Sequence, residues 1–131
     1  ALDTPWPKTL ALKARVGEAL AAATDAGALT DALLAALADP RLAADERLPR
    51  TGISLDWERQ LSAAFIRTPD GRYGTRCSTV VITERLADGR RLTHVVERSH
   101  DGPAAVDREE LLPACPYRPT GDQAGLERSA W

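Results

Sequence analysis

Residues 78–99 read STVVITERLADGRRLTHVVERS, two β-branched runs on either side of an Asp-Gly pair. β-Branched side chains suit a pleated surface, and Asp-Gly supplies the positive-φ positions of a tight hairpin turn. The pattern predicts strands over residues 78–84 and 91–98. Alternation puts Val80 and Ile82 on one face and Val81 on the other. In the second strand Leu92, His94 and Val96 share a face, opposite Thr93, Val95 and Glu97. One hairpin is marginal in water. The remaining residues offer no second clear strand signal, so a fold built on this hairpin is expected to draw strands from elsewhere.

The other elements read as helical. Over residues 8–25, Leu12, Val16, Leu20 and Ala23 recur on one face and alanine fills much of the rest. A second helix is predicted over 29–38, with Leu29, Leu33, Leu34 and Leu37 inward. Thr30 or Asp31 lies near its start, and Asp39-Pro40 stops it. The two read as an antiparallel pair. Residues 41–52, charged and proline-bearing, read as a surface connection. A short helix over 55–63 has Ser54 as N-cap and Asp56 and Glu58 at its positive end. Its expected apolar contacts are Leu55, Trp57, Leu61 and Phe65. Residues 68–74, TPDGRYG, form a turn-rich loop. Asp107 to Leu112 reads as one more short helix, followed by an irregular tail that Tyr117 and Trp131 could pin to a groove.

Much of the apolar content is alanine, and aromatic residues make up only 5% of the 131, so little area is available for burial. The chain is long enough for one domain but is expected to lean on a partner for part of its core. Basic and acidic residues, 17 and 19, are spread along the chain and sum to −2, which gives no nucleic-acid footprint. No apolar run approaches ~18 residues, so no membrane span is expected. No secretory signal opens the chain, and the expected location is cytoplasmic. Cys77 and Cys115 lack CxxC or Cys/His metal spacing and read as reduced thiols.

Chemistry concentrates in RYGTRCSTVVI, residues 72–82, at the mouth of the first strand. An active site, a ligand cradle and a plain strand start are all open readings of it. As a catalytic set, Cys77 beside Arg76 would have a lowered pKa, with His94 on the next strand as base. The plain alternative is a structural, half-buried thiol. As a ligand cradle, Tyr73, Gly74, Thr75, Arg76 and Ser78 combine a permissive backbone, hydroxyls and a guanidinium fork for a carboxylate. The plain alternative pairs Arg76 with Asp56 or Glu58. His94 and His100 are candidate haem ligands, against ordinary core or surface roles. No metal site is predicted. Trp6 and Trp57 read as anchors between helices and sheet.

Three strings carry a family resemblance: LDTPWPK at 2–8, TGISLDWERQLSAAFIRTPD at 51–70, and YGTRCSTVVI at 73–82 followed by RRLTHVVERS at 90–99. In order and spacing they resemble the C-terminal half of the NRDE family, also called the transport and Golgi organization 2 family. The Asn-Arg-Asp-Glu string that names the family is absent, as is its early Cys, and the 68–76 loop is longer than the family's usual form. The resemblance implies an α+β fold, part of an αββα sandwich like that of the N-terminal-nucleophile hydrolases. Residues 1–99 would be its C-terminal half: a helical pair in 1–40, a short helix in 53–66 and a hairpin in 73–99. Residues 100–131 would add a short helix and a tail. It also implies a second chain carrying the N-terminal half, encoded separately or released by cleavage before Ala1. The implied function is non-enzymatic haem binding and transfer, with haem as cargo. The alternative is the non-nucleophile subunit of an amidohydrolase, since Ala1 has no nucleophilic side chain; Arg76 or Tyr73 would then orient a small-molecule substrate's carboxylate.

Overall fold

The computed structural model describes residues 4–100 and the backbone of residues 106–113. It is an α+β fold. Helices α1 (Pro7–Ala22), α2 (Ala26–Leu37) and α3 (Leu55–Leu61) precede strands β1 (Cys77–Arg85), β2 (Arg91–Ser99) and β3 (Val106–Pro113). The strands form one antiparallel sheet in the order β1-β2-β3.

The two strands pair as the pattern predicts, but of the Asp-Gly pair only Gly89 takes a positive φ, 82°; its N–H donates to the Leu86 carbonyl at 2.9 Å, and Val80 pairs with Val96. Alternation then decides the faces: Val80 is buried and Val81 is 63% exposed. The buried face meets α2, where Leu34 packs with Val80 and Val96, flanked by Leu33, Leu37 and Ile82. α1 packs in turn on α2.

β3 replaces the helix predicted over 107–112. The local residues favour a helix, but the free edge of β2 offers a complete ladder. Pairing there runs from Ser99 with Val106 to Leu92 with Pro113. A hydrogen-bonded neighbour outweighs a weak local preference. Tyr117, Trp131 and Cys115 lie outside the described residues.

The helices differ from expectation in their faces. Pro7 opens α1 at the position where its missing N–H costs nothing. Yet Val16 and Leu20 point outward, Leu20 at 62% exposure, and Ala19 is the buried residue. α2 starts earlier than predicted because Asp25 caps it, accepting from the Ala28 N–H at 2.8 Å, while Thr30 sits inside the helix. In α3 Ser54 caps as expected, accepting from the Trp57 N–H. Its buried residue is Glu58, whereas Leu55 and Trp57 are exposed.

The chain after α2 is tied down by polar bonds. The Asp39 carboxylate accepts from the Arg41 guanidinium at 2.6 Å, with Arg15 at 3.4 Å, and its pKa is held down to about 2, chiefly by Arg41. Ala43 donates its N–H to Ser62 Oγ at 2.8 Å, and Phe65 donates its own to the Asp39 carbonyl at 2.8 Å. These bonds bring the end of α3 beside the end of α2 and set where the next segment begins.

Candidate functional site

Residues 66–76 fold back on themselves as a clip at the strand mouth. Arg67 bridges Gly74, Thr75 donates its N–H to the Ile66 carbonyl at 2.8 Å, and Ile66 donates its own to Thr75 Oγ1 at 2.9 Å. Thr68, nearly fully buried, organises the turn. Its hydroxyl donates to Asp70 Oδ1 at 2.6 Å and accepts from the Tyr73 N–H at 3.1 Å. Asp70's carboxyl is held below the usual range, first by that hydroxyl and then by the Arg72 N–H. Gly71 supplies φ 67° at the tip. Gly74 is needed for a different reason: a Cβ there would sit 2.8 Å from the Ile66 carbonyl oxygen.

His100, just past β2, closes over this clip. Its N–H donates to the Arg76 carbonyl at 2.7 Å, its Nε2 lies 3.1 Å from Ser78 Oγ, and its ring stands edge-on to Phe65 at 4.8 Å. A concavity of about 570 Å³ results, lined by Arg67, Arg72, Tyr73, Thr75, Arg76 and His100. Arg67 lies over the Phe65 ring at 5.8 Å, and Arg72 is 3.9 Å from Asp70. Three arginines thus line the opening, with the Asp70 carboxylate beside one of them.

Of the predicted ligand set, Tyr73, Gly74, Thr75 and Arg76 line the concavity. Ser78 does not; it is buried and holds His100. The acids proposed for Arg76 are engaged elsewhere, Asp56 by Arg59 and Glu58 by Thr51. The Cys77–His94 pair does not form. Cys77 pairs with Ser99 and His94 with Ile82, five residues further along the strand, or ~17 Å at ~3.3 Å per residue. They also face opposite ways: Cys77 is exposed with Val81, while His94 shares the Val96 side and meets Glu84 Oε1 at 2.7 Å. Cys77 is therefore not half-buried either. Among the described residues no three His, Cys, Asp or Glu side chains gather as a metal group.

A second cleft, of about 230 Å³, shares Tyr73 with the first and is bounded by Trp6, Lys8, Ile53, Glu58 and Leu61. Here the N-terminal string meets the other two. Lys8 Nζ donates to the Leu61 carbonyl at 2.7 Å and lies 5.8 Å from the Trp6 ring centre. Burial lowers its pKa. Glu58 accepts from the Thr51 N–H and, at 2.7 Å, from its hydroxyl. Trp57 meets Tyr73 edge-on at 5.7 Å. Trp6 is thus a partly exposed residue of this cleft and Trp57 an exposed neighbour of Tyr73; neither belongs to the core that joins α2 to the sheet. Lys8 and Glu58 were not predicted as site residues; the presence of Lys8 within LDTPWPK was the only signal for it.

A family model described as transport and Golgi organisation 2 matches residues 1–101. The chain belongs to that family. The matched span contains every segment that shapes both openings, from Trp6 to His100. None of the curated proteins compared with this family member matches it significantly. No helix among its described residues is long and apolar enough to cross a membrane.

Proposed function

We propose that this chain is one part of a haem-binding and haem-transfer protein that works without catalysis. The concavity of about 570 Å³ carries the reading: His100 and three arginines are among the residues that line an opening within the ~300–1,000 Å³ of small-molecule sites. Guanidinium forks suit the two propionates of haem. His100 is the ligand candidate, and its Nε2 already meets Ser78, so iron would compete for that nitrogen or take the other. Such competition favours loose ligation, which suits cargo that is handed on. His94 is a poorer candidate because Glu84 occupies its Nε2 and it lines neither opening.

A haem titration followed by absorbance tests this. The assembled protein is expected to give a saturable shift of the haem band. His100→Ala should change the spectrum, and Arg67→Ala with Arg72→Ala should weaken binding roughly tenfold, or about 1.4 kcal/mol. No spectral change with the assembled protein would sink the reading.

The proposal includes a second chain or segment that completes the sheet. Val81 lies mid-strand on an uncovered face, and β1 has no neighbour on its outer side among the described residues. An open strand edge invites pairing, and Val81, exposed among Thr79, Thr83 and Glu97, is an apolar side chain a neighbour could cover. Val81→Lys is expected to release the 14.1 kDa chain from its complex in native mass spectrometry while leaving its own fold intact. A wild-type chain that stays a stable folded monomer would contradict this.

A further inference from the structure

We propose that the cleft between Trp6, Lys8, Ile53 and Leu61 binds a small organic anion with an apolar body and a carboxylate end. This does not rest on the haem reading, which concerns the arginine-lined concavity beyond Tyr73. The cleft of about 230 Å³ falls just below the usual range for drug-sized ligands, so it suits one aromatic ring or a short branched chain. Trp6, Pro49, Ile53, Leu61 and Ile66 give it an apolar wall.

The anion follows from Lys8. An ammonium has three N–H donors. One goes to the Leu61 carbonyl, and the Trp6 ring lies alongside. Among the described residues no carboxylate pairs with Lys8, although Glu58 lines the same cleft; that carboxylate is turned to Thr51. A half-buried cation without a counter-ion is costly, and an incoming carboxylate would remove that cost. The Leu61 bond and the ring already hold the ammonium in place, so little ordering is left for the ligand to impose.

The test is a calorimetric titration of the full assembled protein with 3-phenylpropionate and with its neutral isostere 3-phenylpropanamide. The carboxylate is expected to bind at least ~10-fold more tightly, a difference of about 1.4 kcal/mol. Lys8→Gln should lower the carboxylate to the affinity of the amide. Ile53→Trp, on the exposed rim, should weaken both by filling the cleft, and it keeps the test valid should Lys8→Gln fail to fold. Arg67→Ala with Arg72→Ala should change nothing here, although it weakens haem. Equal affinity for the two probes, no binding of either at millimolar concentration, or undiminished binding to Ile53→Trp each overturns the proposal. Loss of the carboxylate preference in the arginine variant does so too, since the anion would then sit in the other opening.

Discussion

Gly74→Ala should lower the stability of the chain by about 3 kcal/mol, the upper end of the cost of forcing atoms into a packed site. The added carbon would stand 2.8 Å from the Ile66 carbonyl oxygen, a backbone atom that cannot turn aside. Relief requires the 66–68 and 73–76 arms to separate. That breaks the Thr75-to-Ile66 and Thr68-to-Tyr73 bonds that form the clip. Denaturant midpoints measure the loss. Gly17→Ala is the control, because nothing lies within 4 Å of its new carbon and the site is mid-helix. There the same change should stabilise by about 0.5–1 kcal/mol. If both substitutions move the midpoint in the same direction, the steric account of Gly74 fails. The haem titration should weaken in Gly74→Ala as well, since residue 74 lines the concavity.

Leu34→Ala should cost about 2–5 kcal/mol. Leu34 is 2% exposed and is the residue through which α2 meets Val80 and Val96. Such a small core cannot readily collapse around a cavity. For a domain whose whole stability is ~5–15 kcal/mol, the variant should be close to unfolding at 37 °C. Leu20→Ala, in the isolated chain, should shift stability by only about 0.5 kcal/mol, since Leu20 is 62% exposed. Thermal unfolding of the two variants gives the contrast, and similar losses would contradict the assignment of faces.

That contrast also shows how far the sequence could be read. Leu20 sits on a good helical period, and Leu12 and Val16 share it. Period alone cannot say which stripe of an alanine-rich helix is buried, because Ala19 serves as well where two helices approach closely. The hairpin had no such ambiguity: a register slip would expose Val80 and bury Val81. Glu58 was legible as a helix-start acid, and it does lie in the first turn of α3, yet its partner Thr51 lies in a loop whose path is not local. The segment 107–112 was misread because local preference cannot register a waiting strand edge.

By itself the sequence determined the two paired strands and their faces, the Asp-Gly turn, the three helical stretches, and the family strings. Each of these rests on neighbours in sequence or on short periods. Only the tertiary structure decided that Cys77 and His94 stand apart, that Ser78 serves His100, and that three distant strings meet at one cleft. The Lys8–Leu61 bond spans 53 residues. Contacts of that length depend on how whole elements pack, and no local pattern encodes them.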